Sequence, residues 1–110
     1  MDFLPVKVKI GGRLLPLGTM EIKVLRFYPF PLKLRKAELL GYGDILIGNL
    51  LEIRGIKLLK KENGGIFIAL PSIQNKNGSF IEIVRFTDRN LREEIRKALK
   101  DYYLKHYGEI

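Results

Sequence analysis

Residues 64–90 read GGIFIALPSIQNKNGSFIEIVRFTDRN, and the fold turns on how they are parsed. Ile66-Phe67-Ile68-Ala69-Leu70 is an unbroken apolar run between Gly64-Gly65 and Pro71-Ser72. A short run bounded in this way predicts a strand buried on both faces. Pro71 has no N–H to give to a ladder, so the strand should stop there. Asn77-Gly78 suits a tight hairpin turn, because both residues tolerate positive φ. Residues 80–86, rich in Ile, Val and Phe, predict the returning strand. Asp88 has the short carboxylate of a helix N-cap, able to accept from the free N–H groups of a first turn.

Downstream, Leu91, Ile95, Ala98, Leu99, Tyr102 and Tyr103 recur at offsets 0, 4, 7, 8, 11 and 12. That spacing puts one apolar face on a helix over residues 89–106. Glu93–Lys97 and Asp101–Lys105 are spaced as i,i+4 pairs, and Gly108 should end the helix.

Upstream, the pattern is strand after strand. Val6, Val8 and Ile10 alternate with Lys7 and Lys9, and Gly11-Gly12 predicts a turn, so residues 3–19 form an N-terminal hairpin. Pro5 and Pro16 place it at a sheet edge. Residues 20–27 alternate again, with Ile22, Val24 and Arg26 on one face and Lys23, Leu25 and Phe27 on the other. Pro29 and Pro31 forbid helix and predict an extended turn. Residues 33–40 fit one helical turn or a strand, and their neighbours favour the strand. Gly41, Gly43 and Gly48 bracket a short apolar strand at residues 44–47. Another strand covers 50–59, with Gly55 marking a bulge. Many strands followed by one helix give an α+β class: an antiparallel β-sheet with one C-terminal α-helix packed on it.

The chain has 110 residues, enough for one domain with a modest core. It is 46% hydrophobic and 29% charged, a globular composition. No apolar run reaches the roughly 18 residues that suggest a membrane span. With no Cys and no signal-like N-terminus, the expected setting is cytoplasmic. Twenty Lys and Arg against 12 Asp and Glu leave a net charge of +8, which draws polyanions.

Catalytic groupings are sparse. His106 is the single histidine, and Glu93-Glu94 is the only acidic cluster, on adjacent helix positions that diverge. The glycines spell no phosphate loop: Gly41-x-Gly43 lacks the third glycine and the following helix. An enzyme, a cofactor, a metal site and a small-molecule substrate are therefore not expected. Basic clusters are the stronger signal. Residues 20–36 carry Lys23, Arg26, Lys33, Arg35 and Lys36 against Glu21 alone. Residues 53–61 carry Arg54, Lys57, Lys60 and Lys61 with no acid. The helix entry adds Arg89, Arg92 and Arg96, next to N–H groups that can themselves bind phosphate. Tyr28, Phe30 and Tyr42 can stack on bases, although core packing is the commoner use of such rings.

Residues 64–103 resemble the SpoVG family (stage V sporulation protein G, the septation protein). Gly65-Ile66-Phe67-Ile68-Ala69-Leu70-Pro71-Ser72 is similar to that family's G-L-F-V-A-M-P-S. Asn77-Gly78-x-Phe80 is similar to its D-G-x-F, and Asp88-x-x-x-Arg92-x-x-Ile95 to its N-x-x-x-R-x-x-I. Upstream, residues 55–59 resemble its D-I-R-V-I, and residues 22–26 resemble its first strand. The likeness spans about residues 20–104, leaving residues 1–19 as an added hairpin before a core at 20–106. It implies a homodimer joined through strands that binds DNA or RNA as a regulator; the lack of a long apolar run separately predicts no membrane partner. The likeness also implies nucleic-acid contacts after the Pro-Ser and at the helix entry. Arg92 matches the helix-entry position. The family's Lys-Arg after Pro-Ser is Ile73-Gln74 here, and its His-Pro before the helix is Arg85-Phe86. The expected contacts therefore move to Lys57, Lys60 and Lys61 before the motif and to Arg89, Arg92 and Arg96 after it. The rival expectation is a structural or protein-interaction module that oligomerises through sheet edges without binding nucleic acid.

Overall fold

The computed structural model describes the backbone of residues 2–10 and 13–109 and the side chains of residues 21–109. It has the α+β architecture expected, built on a five-stranded antiparallel sheet in the order β1-β2-β3-β4-β5. The strands are β1 (Asp2–Ile10), β2 (Arg13–Lys33), β3 (Ala37–Ile47), β4 (Leu51–Lys61) and β5 (Ile66–Ala69). A separate two-stranded sheet joins β6 (Ser72–Gln74) to β7 (Phe80–Glu82), and α1 (Arg89–Tyr107) closes the chain. The expected turn at Gly11-Gly12 lies outside the described residues.

β2 changes partners along its length. β1 pairs with it as far as Ile22, and β3 pairs with it from Ile22 to Lys33. Each half of β2 therefore has one ladder side without a strand partner among the described residues. This accommodates Pro16, Pro29 and Pro31 within a strand. The extended turn expected at the last two is instead continuous strand, with the ladder slipping between Pro29 and Leu32.

A second slip corrects the expected faces. Val24 pairs with Ile45 and Arg26 with Asp44, so Leu25 is an extra residue. A bulge of one residue reverses the alternation beyond it. Phe27 thus joins Ile22 in the core, and Arg26 turns to the opposite face. Gly55 does form the expected bulge, at φ +73, beside Asp44. Gly41 and Gly43 lie inside β3 and bracket nothing. A Cβ on Gly43 would come within 2.5 Å of Leu99 Cδ2, so glycine is what lets helix and sheet approach.

Helix α1 covers one face of the sheet. Ile95 and Leu99 are fully buried against Ile45, Ile56, Leu58 and Ile68. The Phe27 ring centroid lies 5.7 Å from that of Tyr103 and 5.6 Å from that of Tyr107. Asp88 caps the helix as expected, accepting from the Asn90 N–H at 2.8 Å. Gly108 ends it at φ +87, its N–H donating to the Leu104 carbonyl. Glu93 pairs with Arg96 rather than with Lys97.

The deciding stretch holds two corrections. β5 is a sheet edge: Ile68 and Leu70 are buried, but Ile66, Phe67 and Ala69 are only half-buried. The returning strand is three residues long, and it pairs with β6 rather than with β5. The connection is a five-residue loop, not a two-residue turn, because the Asn75 side chain accepts from the Asn77 and Ser79 N–H groups and winds the chain around itself. Gly78 alone takes positive φ there.

Candidate nucleic-acid interface

Strand alternation sorts the basic residues of β4. Ile56 and Leu58 point to the helix, so Lys60 lies on that side, whereas Lys57, Leu59 and Lys61 lie on the face that α1 leaves open. The cross-strand neighbours agree. Lys57 is opposite Tyr42 on β3, which is opposite Tyr28 on β2. Leu59 is opposite Leu39 on β3 and Phe67 on β5. Leu39 and Leu59 are buried, and neither belongs to the helix-side core.

On this open face Lys57 Nζ lies 5.9 Å from the centroid of the Phe80 ring, and Lys61 Nζ lies 5.5 Å from that of Phe67. The Phe30 ring meets the Tyr42 ring edge-on at 6.1 Å. Tyr28 and Phe30 are each 53% exposed, so the core packing expected for these rings does not occur. They sit on the stretch of β2 that pairs only with β3 among the described residues. That placement follows from strand order, which local pattern does not carry.

Further along the same face, Arg26 Nε donates to Asp44 Oδ2 at 2.8 Å, and its guanidinium also pairs with Glu52. The Gly55 N–H donates to Asp44 Oδ1 at 2.9 Å. Burial alone would raise the Asp44 pKa, but the hydrogen bonds from Arg26 and Gly55 outweigh it and hold the carboxyl below its ordinary value. Arg26 is thus a sheet-building residue, although its sequence cluster is basic.

The six residues expected to meet phosphate fall into two kinds. Lys57, Lys60, Lys61 and Arg89 make no ion pair among the described residues. Arg92 and Arg96 are engaged. Arg96 is held by Glu93 one turn away. Arg92 Nη2 donates to the Ile68 carbonyl at 2.9 Å, and Nη1 lies 3.3 Å from Glu82 Oε1. Glu82 Oε2 in turn accepts from the Leu70 N–H at 2.7 Å. Burial pushes the Glu82 pKa up, yet the Leu70 N–H and Arg92 bring it below its ordinary value. Together Arg92 and Glu82 fill the bonds that a neighbouring strand would make to Ile68 and Leu70. They blunt the outer edge there. Neither the pairing nor the role of Glu82 has a local signature, since 10 residues separate the partners.

Among the described residues, no three His, Asp or Glu side chains gather to hold a metal. No described helix is long and apolar enough to cross a membrane.

A family model described as SpoVG matches residues 20–105. A Fusobacterium nucleatum protein under the name septation protein SpoVG is 35% identical over 66 residues, 60% of this chain and 70% of that protein. One from Clostridium perfringens is 39% identical over 62 residues, 56% of this chain and 68% of its own length. One from Anaeromyxobacter is 29% identical over 84 residues, covering 76% and 78%. No solved structure matches the chain.

Proposed function

The chain belongs to the SpoVG family, and on that premise we propose that it is a cytoplasmic, non-enzymatic regulator that binds DNA or RNA as a homodimer. The observation that carries this reading is β4, which lies between β3 and β5 and presents Lys57, Lys60 and Lys61 without a carboxylate partner among the described residues. Lysines on a rigid strand, in a chain of net charge +8, are suited to hold phosphates in a fixed register. Arg89 extends the charge to the helix entry. Arg92 and Arg96 support that entry and reach a ligand only by exchanging their present partners. Regulation of septation is the role that the relatives' name lends to this reading.

A second copy is supported by the β6–β7 hairpin, where Ile73, Phe80, Ile81 and Ile83 are all exposed. Apolar side chains concentrated in this way mark interaction surfaces. The same hairpin favours the second reading, an interaction module that oligomerises without binding nucleic acid. A filter-binding titration against single-stranded RNA, single-stranded DNA and duplex DNA at two salt concentrations separates the two. The regulator loses duplex affinity with a slope of about −0.9 log units per log unit of salt for each phosphate neutralised. Flat salt dependence, or no binding at about 50 mM salt, leaves the interaction module.

A further inference from the structure

We propose that the open face of the main sheet is a stacking platform for single-stranded nucleic acid, on which Tyr28 and Phe30 take bases while Lys57 and Lys61 take phosphates. This rests on the nucleic-acid reading above and narrows it to one surface and one strandedness.

Three observations meet on that face. Tyr28, Tyr42 and Lys57 stand side by side on three adjacent strands, with Tyr28 paired to Tyr42 and Tyr42 to Lys57. Two strand spacings, about 10 Å in all, separate the first from the last. That is close enough for a tyrosine and a lysine to hold the base and phosphate of one nucleotide. The rings are presented rather than packed: Tyr28 and Phe30 are half exposed, and Tyr42 braces Phe30 edge-on from the sheet side. Leu39 and Leu59, paired with each other on the same face, are buried.

The charge matches the shape. Lys57 and Lys61 follow one another on the same side of β4 and have no carboxylate partner among the described residues. Lys61 continues into a shallow depression of about 280 Å³ at the end of the sheet, where Lys33, Arg35 and Lys60 outnumber Glu38 and Glu62. A polyanion laid along Lys57 and Lys61 is thus led towards more positive charge.

Strandedness follows from the rings. Stacking on a side chain needs a free base face, which a duplex keeps inside its own stack. An open sheet with projecting aromatics and flanking lysines is the geometry that accepts unpaired bases in sequence-tolerant fashion.

The test titrates the full chain with an oligothymidylate and with a duplex of equal length, at two salt concentrations. Tyrosine emission is the readout, since the sequence contains five Tyr and no Trp. Wild type binds the oligothymidylate with quenching and in preference to the duplex. The double variant Tyr28→Ala with Phe30→Ala loses roughly tenfold or more in oligothymidylate affinity, while Tyr28→Phe, which keeps the ring, retains it. Lys57→Gln and Lys61→Gln each reduce the single-strand salt slope by about 0.7. If the double variant binds as wild type does, or loses both probes equally, the platform is overturned and the nucleic-acid reading stands. If wild type binds neither probe, both fall together.

Discussion

The two faces of the main sheet share a backbone and differ in almost everything else. On the face under α1, Ile45, Ile56, Leu58, Ile95 and Leu99 are completely or almost completely removed from water, and Gly43 gives up a side chain so that the helix can come closer. On the other, the same strands present Tyr28, Tyr42, Lys57 and Lys61, with half-exposed rings and ammonium groups that have no carboxylate partner among the described residues. The covered face holds the fold together. The open face adds the Arg26–Asp44 pair and buried Leu39 and Leu59 to the fold, but its Tyr28 and Phe30 rings and its lysines stay accessible. The helix entry belongs with the first group, because Arg92 and Arg96 are both tied down by carboxylates.

This contrast is sharpest under truncation. Leu99→Ala should cost about 2–5 kcal/mol by denaturant unfolding, the usual range for emptying a core site. Tyr28→Ala should stay within about 0.5 kcal/mol of wild type, as surface changes do. A Tyr28 effect as large as that of Leu99 would mean that the open face is part of the core after all.

Arg92→Ala tests where the helix entry belongs. It leaves the Ile68 carbonyl without its donor and Glu82 without its cation, a loss of about 1–3 kcal/mol. Lys57→Gln should leave the unfolding midpoint unchanged. If the two changes exchange these outcomes, the division between structural and free cations is wrong.

Acid gives a smaller effect with a definite sign. Asp44 and Glu82 are both held below their ordinary values of 3.8 and 4.5. As pH falls, the unfolded chain takes up protons before the folded one. Their contribution is therefore full above about pH 5 and is lost as pH drops through the lowered folded values. Unfolding midpoints measured from neutral to acid pH should fall over that window, and Glu82→Gln should flatten part of the fall.

The covered face was largely legible in the sequence, because its signals are local. The spacing from Leu91 to Tyr103, the cap at Asp88 and the stop at Gly108 each act within a few residues. Gly55 announced its bulge for the same reason. Leu25 did not, since nothing in its composition distinguishes a bulged leucine from a paired one, and simple alternation therefore puts Phe27 on the opposite face from the one it occupies. The partner change along β2 decides that Tyr28 and Phe30 are exposed, and it depends on where β1 and β3 end. The Arg92–Glu82 pair is likewise invisible until the edge of β5 is known. The charge of the six candidate residues could be read directly, but which of them are free could not.

The central claim is that the free lysines of β4 bind nucleic acid. The most direct measurement is the salt dependence of single-stranded and duplex binding for wild type and for the double variant Lys57→Gln with Lys61→Gln. Wild-type affinity should fall steeply with salt, and the variant should show a shallower slope by about 1.4 on single strands, twice the value of about 0.7 for each phosphate contact. Equal slopes for the two proteins would contradict the account.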